Sequence, residues 1–265
     1  MCRHIAVLGP HAPLAESLVD PPYSLVRQSW EPRRQRHGVV NADGFGVGWY
    51  APGDPLPARY RRAGPVWADE SFADIARVVR TRALLAAVRD ATAAGADPEA
   101  AAAPFAGGPW LFSHNGALPG WPECAAPLAG QVPAAALLRL AARNDSAFVW
   151  ALVEQRLLGG APMARALAGA VATLAGAVPD ARLNLLLTDG AAIAATAWGD
   201  SLWYVSRGRR TAVASEPYDD DPGWTEVPDR TLLAADRSAV VLTPLTPRFP
   251  EAADVPAVPC KEPAS

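Results

Sequence analysis

Lysine is almost absent from this sequence: of 24 basic residues only Lys261 is lysine, and the rest are arginine. With the abundant Ala, Gly and Pro, that bias reads as genome composition rather than function. Cysteine is also scarce. Cys2, Cys124 and Cys260 form neither a disulfide framework nor a zinc spacing. Excess charge is lacking too, since the formal net charge is −3 over 265 residues. No basic stripe or polybasic run marks a nucleic-acid or membrane-surface partner. No apolar run reaches the roughly 18 residues of a membrane-spanning helix. The opening MCRHIAVLGPHAPLAESL lacks the positive start, long apolar core and small-residue cleavage site of a signal peptide. A cytoplasmic location is therefore expected. His4, His11 and His37 show no metal-ligand spacing, and neither a P-loop nor a Ser–His–Asp pattern is found. Gly44 to Gly48 (GFGVG) lacks the G-x-G-x-x-G pattern and leads into a strand rather than a helix, which argues against dinucleotide binding. No metal and no cofactor are expected.

What remains is an apolar pattern of short strands and a few helices. Arg3 to Leu8 reads as a strand, and Phe45 to Tyr50 as a second with Ala58 to Arg62 as its hairpin partner. Glu70 to Val79 has helical spacing. Leu84 to Val88 and Trp110 to Ser113 read as buried strands, separated by an Ala-, Gly- and Pro-rich loop over Ala91 to Gly108. Helices are expected over Ala134 to Ala142, Ala147 to Leu158 and Met163 to Ala177, the second capped within Asn144-Asp145-Ser146. Strand signals follow at Leu183 to Leu187, Ile193 to Trp198, Leu202 to Val205, Thr211 to Ser215 and Ala239 to Leu242. Strand groups flanking a helix pair make an α+β layered domain over residues 2–246, with a proline-rich irregular tail over 247–265.

Four features carry chemistry. A small residue after Met1 permits removal of the initiator methionine, which puts a free α-amine on Cys2. That amine has a reference pKa near 7.7–8.0 and the thiol near 8.5, so one residue supplies both base and nucleophile. Ser113-His114-Asn115-Gly116 ends an apolar run, where an Asn amide and a Gly N–H aimed at one point make an oxyanion hole. Taken alone, Asn-Gly is better read as a type I′ turn, and a cysteine at position 2 as chance. Arg89, at the end of an apolar run, offers a bidentate fork for a carboxylate. Asp145, at a helix start, offers an anion for an ammonium or a plain N-cap.

In combination these segments resemble the class II glutamine amidotransferases, a branch of the N-terminal nucleophile hydrolases. Cys2 matches the family's nucleophile. Ala87-Val88-Arg89-Asp90-Ala91-Thr92 is similar to its arginine motif, His114-Asn115-Gly116 to its oxyanion motif, and Asn144-Asp145-Ser146 to its acidic motif. The resemblance implies a four-layer αββα sandwich, Cys2 as nucleophile, Asn115 and Gly116 as oxyanion donors, and Arg89, Asp145 and His114 on a γ-glutamyl substrate. Ala93 departs from the histidine that many relatives carry there. Met1-Cys2-Arg3-His4, Arg33-Arg34-Gln35-Arg36-His37-Gly38, Asn41-Ala42-Asp43-Gly44, Ala214-Ser215-Glu216-Pro217 and Asp219 to Trp224 resemble the family's ergothioneine-pathway amidohydrolases. That closer likeness implies hydrolysis of γ-glutamyl-hercynylcysteine sulfoxide. Strands running to residue 242 leave no room for a synthase domain, which favours hydrolysis in its own right. A glutaminase subunit feeding a separate synthase and a non-catalytic γ-glutamyl-binding domain stay open as alternatives, as does the oligomeric state.

Overall fold

The chain's short apolar runs become two stacked antiparallel sheets. The computed structural model describes residues 2–35, 38, 40–91 and 98–246. Met1, Arg36, His37, Thr92, Ala93, Cys260 and the expected tail over 247–265 lie outside the described residues. In chain order the strands are β1 (Arg3–Pro13), β2 (Phe45–Trp49), β3 (Ala58–Arg62), β4 (Arg80–Val88), β5 (Phe105–Gly107), β6 (Trp110–Ala117) and β7 (Arg182–Thr188). There follow β8 (Ile193–Ala197), β9 (Trp203–Arg207), β10 (Arg210–Ala214), β11 (Thr225–Glu226), β12 (Thr231–Ala235) and β13 (Val240–Pro244). One sheet has the order β11-β9-β10-β1-β4-β2-β3 and the other β13-β12-β8-β7-β6-β5.

Period-two alternation assigns each strand's two faces. On β1 and β4, Ala6, Leu8, Ala83 and Leu85 point inward and meet Leu111, Leu186, Ala195 and Leu233 of the second sheet. Ile5, Val7, Leu84, Ala86 and Val88 point outward, against a layer that includes Leu18, Leu25 and Phe72. These belong to the helices α1 (Ala15–Leu18), α2 (Leu25–Gln28) and α3 (Glu70–Val78). The second sheet turns Phe112, Leu183, Leu185 and Leu187 outward under α5 (Asp145–Leu158) and α6 (Met163–Ala177), which follow the short α4 (Ala134–Leu138). The layers therefore run α, β, β, α, as the family resemblance implied. The central strands β1, β4, β7 and β8 are covered on both faces, so they read as nearly continuous apolar runs and not as alternation.

Several boundaries differ from expectation for local reasons. Helix α5 begins at Asp145, because Asn144 is the cap: its Oδ1 accepts from Ala147 N at 2.9 Å. The helix expected over Ala134 to Ala142 stops at Leu138. The expected loop Ala91 to Gly108 contains β5, which pairs with β6. His114-Asn115-Gly116 is no turn: it lies inside β6, with Asn115 opposite Asn184 of β7. Strand β12 had no sequence signal, yet it joins β8 to β13. Among the described residues no helix is long and apolar enough to cross a membrane.

His4 lies wholly buried between the sheets, with Nδ1 3.1 Å from Ser113 Oγ. Burial first, then the charges of Arg3 and His114, lower its pKa from 6.5 to about 3. A folded-state pKa below the unfolded one means that protonation favours unfolding. The stability due to neutral His4 is present above pH 6.5 and lost as pH falls towards 3. The full span is on the order of 5 kcal/mol. Thermal denaturation from pH 7 to pH 4 should show a steeper loss of Tm for the native protein than for His4→Gln; parallel curves would refute this account.

Candidate active site

The site forms where β1 starts and β4 and β6 end. Arg3 pairs with Val88 in the β1–β4 ladder, so Cys2 and Arg89 stand side by side just beyond it. Cys2 is half-buried. Burial pushes its thiol up, the Asp90 backbone N–H and the Arg89 charge pull it down, and Asp145 pushes it up again. Residues far apart in sequence thus act on one sulfur. The net rise means that the thiol needs a base before it can attack.

The His4–Ser113 contact fixes how the sheets face each other. Side chains repeat every two residues along a strand. One step from His4 towards the chain start is Cys2, and one step from Ser113 along β6 is Asn115. Both steps lead to the same end of the sandwich, so Asn115 faces the cysteine across the gap. Asn115 is fully buried, yet neither its Oδ1 nor its Nδ2 has a hydrogen-bond partner among the described residues. Buried amides are nearly always paired, so this one awaits a ligand. Beside it, position 116 admits only glycine. A Cβ there would lie 1.9 Å from the Arg182 carbonyl oxygen and 2.5 Å from His114 Nε2.

Arg89 and Asp145 supply opposite charges around this point. Arg89 is anchored through its backbone, donating to Gly44 O at 2.8 Å and accepting from Asp43 N at 2.9 Å. Its Nη1 donates to Asp43 O at 3.1 Å, and no carboxylate pairs with it among the described residues. Asp145 is buried in the first turn of α5, where the helix dipole favours an anion. Its carboxylate accepts from Leu118 N at 3.0 Å and Ser146 N at 2.8 Å, again with no cation bound among the described residues. An α-amino acid head carries the complementary pair of charges.

His114 requires a correction. It points to the opposite face of β6 from Asn115, into the helix layer. Its Nε2 donates to Arg182 O at 2.9 Å and its Nδ1 bonds Ser146 Oγ at 3.0 Å. With both ring nitrogens engaged it braces the residue beside Asp145 and leaves nothing for a substrate. Cys124 is a free cysteine in the 3₁₀ turn Glu123–Gln131. Burial first, and the charges of Asp145 and Glu123 with it, push its thiol up.

Sequence reasoning assigned no role to Arg3 and Glu216, which form a salt bridge with both side chains buried. Glu216 also accepts from the backbone N–H groups of Arg33 at 3.0 Å and Arg34 at 2.7 Å. The available signal was an acidic residue closing the apolar run Thr211 to Ser215.

Comparison with known proteins gives the chain a family and relatives. Residues 15–212 match the family described as class II glutamine amidotransferases. The chain is 42% identical over 245 residues to the γ-glutamyl-hercynylcysteine sulfoxide hydrolase of Mycolicibacterium smegmatis, covering 92% of this chain and all of that one. It is 40% identical to the protein of the same name from Mycobacterium tuberculosis, over 92% of this chain and 97% of the relative. Among solved structures, a class II domain protein from Silicibacter pomeroyi superposes with a TM-score of 0.64 at 24% identity, covering 92% of this chain and 100% of that one. The glutamine phosphoribosylpyrophosphate amidotransferase of Bacillus subtilis gives 0.64 at 14% identity, over 92% of this chain and 49% of that one. At such identities these two structures speak to the fold alone.

Asn115 and Asn184 face each other in the ladder and should respond oppositely to replacement. Asn184 makes four side-chain bonds, to Asp200 O at 3.0 Å, Ser201 O at 3.1 Å, Trp198 N at 2.8 Å and Asp200 N at 3.2 Å. Asn184→Leu strands those groups and should cost roughly 3 kcal/mol or more. Asn115→Leu removes an amide with no partner to lose and should hold or raise stability. Urea denaturation of both variants decides it, and equal destabilisation would show that Asn115 is satisfied in the free protein.

Proposed function

Because this chain belongs to the class II glutamine amidotransferase family, we propose that it is a γ-glutamyl amidohydrolase that cleaves γ-glutamyl-hercynylcysteine sulfoxide to glutamate and hercynylcysteine sulfoxide. The observation that carries the chemistry is the buried, unpartnered Asn115 amide facing Cys2. The relatives' shared name and full-length similarity support the substrate.

The chemistry follows from the parts. Arg89 takes the α-carboxylate of the γ-glutamyl group and Asp145 its ammonium. The γ-carbonyl then lies between the sulfur and the second sheet. The Cys2 α-amine, freed by removal of Met1, takes the thiol proton, and the sulfur bonds to the carbonyl carbon. Charge grows on the carbonyl oxygen, where Asn115 Nδ2 and the Gly116 N–H donate. Removing one such donor costs roughly 3–4 kcal/mol of transition-state stabilisation in comparable sites. The ammonium returns its proton to the departing nitrogen, the C–N bond breaks and a γ-glutamyl thioester remains. Water attacks the thioester, releases glutamate and restores the thiol.

A thiol pushed up by burial cannot rely on a standing thiolate, so the base matters. An uncleaved N-terminal tag turns the α-amine into an amide. The tagged enzyme should lose about 10²–10⁴-fold in kcat while keeping its circular dichroism spectrum. Equal turnover by N- and C-terminally tagged forms would remove the amine from the mechanism. The substrate is tested by competition: glutamine and γ-glutamyl-hercynylcysteine sulfoxide are offered together and the products quantified by mass spectrometry. The sulfoxide should be consumed first, and a clear preference for glutamine would sink the assignment.

A further inference from the structure

The strands β3 and β5 end the two sheets on the same side of the sandwich. Arg59 and Arg61 of β3 face the second sheet. Their ladder partners are Gly48 and Gly46, and cross-strand partners share a face. A Cβ at Gly48 would lie 2.7 Å from Leu111 of β6. One at Gly46 would lie 2.4 Å from Ala103 O and 2.8 Å from Arg61 Cγ. The two glycines thus leave room for the arginine stems between the sheets. Arg59 Nη1 donates to Pro104 O at 3.1 Å, and Arg61 Nη1 to Ala100 O at 3.2 Å and Ala102 O at 3.3 Å. These bonds fix both guanidinium groups and leave Nε and Nη2 of each for another acceptor.

Both side chains line a cavity of about 300 Å³. Another wall is the face of α5 made by Ala147, Trp150, Ala151 and Glu154, spaced i, i+3, i+4 and i+7. Arg139, the C-cap of α4, lines it as well. None of Cys2, Arg89, Asn115 and Asp145 does.

Three arginines and one glutamate therefore share the cavity, and none of the three arginines has an ion pair among the described residues. Burial lowers the pKa of Arg59, and the charge of Arg61 lowers it further. Glu154 does not neutralise this pair. Its carboxyl lies over Gly107, where a Cβ would come within 1.9 Å of Oε1, three residues along the chain from the Pro104 carbonyl that anchors Arg59. Inward-pointing charge on an edge strand also deters pairing with another chain. That role needs no third arginine from α4. Guanidinium forks that converge on one space match the oxygens of phosphate and carboxylate groups. Phe105 and Trp150 add apolar surface, which strengthens each charged hydrogen bond made there.

We propose that this cavity binds a compact polyanion, a phosphate compound or a di- or tricarboxylate, gripped by Arg59 and Arg61 from β3 and by Arg139 from the end of α4. The site is distinct from the one around Cys2 and does not depend on the reaction assigned there.

Isothermal titration calorimetry on the full-length protein tests this with two probes, inorganic pyrophosphate and citrate. At least one should bind with a Kd of about 1 mM or tighter, and the preferred probe separates a phosphate ligand from a carboxylate one. Arg139 makes no side-chain hydrogen bond among the described residues, so Arg139→Met leaves the fold intact. It should weaken binding roughly 10- to 100-fold, as for loss of a charged hydrogen bond. Arg59→Met should do the same. Glu154→Gln removes the one opposing charge and should tighten binding several-fold. Arg207→Met is the control, since β9 lies towards the opposite edge of its sheet from β3, and it should leave Kd unchanged. Failure of both probes to bind at about 10 mM, or a loss in Arg139→Met no larger than in Arg207→Met, would overturn the site. Weaker binding by Glu154→Gln would overturn a polyanion as the ligand.

Discussion

The guanidinium of Arg3 and the carboxylate of Glu216 meet in the interior, where neither has water to solvate it. Removing two charges from water is costly, and such a pair persists only with good geometry and further hydrogen bonds. Here the Arg33 and Arg34 N–H groups complete the carboxylate's shell. The cost shows in the physics of Arg3: burial lowers its pKa and Glu216 acts against that shift. What the pair secures is position. It joins the first residue of β1, the turn after β10 and residues 33–34, three pieces that converge on one end of the sandwich. The direction of Cys2 follows from that anchor and from the β1–β4 ladder. Ser215 reinforces it, since its Oγ accepts from His4 N at 3.0 Å and its own N donates to His4 O at 3.0 Å.

Around this anchor the fold sets apart satisfied and unsatisfied groups. Asn184, directly opposite Asn115, has every bond it can use, and it ties β7 to the crossing between the sheets. Asn115 has none. The same residue type in facing positions is thus paired in one strand and, among the described residues, unpaired in the other. Arg89 and Asp145 follow the same logic: each is fixed by backbone or N–H contacts while its charge stays without a counter-ion. A site built from unmet groups lowers the stability of the free protein, and strands buried on both faces, with helices packed outside, offset that loss.

The two sheets divide the work. The first carries Cys2 just before β1 and Arg89 just after β4. The second carries Asn115, Gly116 and, through the loop after β6, the contact from Leu118 N to Asp145. The candidate residues come from both sheets, so the spacing between the sheets sets how they lie. That spacing is set by Ala6, Leu8, Leu111, Leu186 and their neighbours and by the His4–Ser113 contact.

Most elements were legible because their causes are local. The hairpin of β2 and β3, helix α6 and the hairpins β7–β8 and β9–β10 follow from apolar runs separated by Gly and Asp. The candidate residues Cys2, Arg89, Asn115 and Asp145 could be singled out because residue type and order point to each. Other features were not, because their causes are distant in sequence. Asn115-Gly116 has the local chemistry of a turn, and only pairing with β7 draws it into a strand. Strand β12 is stabilised by β8 and β13 on either side, not by its own pattern. His114 belonged to the same motif, yet the alternation of β6 turns it to the face opposite Asn115, where it bonds Ser146 and Arg182 O. Sequence alone determined which residues exist to react and in what order they come. Tertiary structure decided which face each one shows, because a strand's two sides are fixed only when its neighbours are in register. It also decided where Glu216 acts, since its partners lie 213 positions away at Arg3 and 183 and 182 positions away at Arg33 and Arg34.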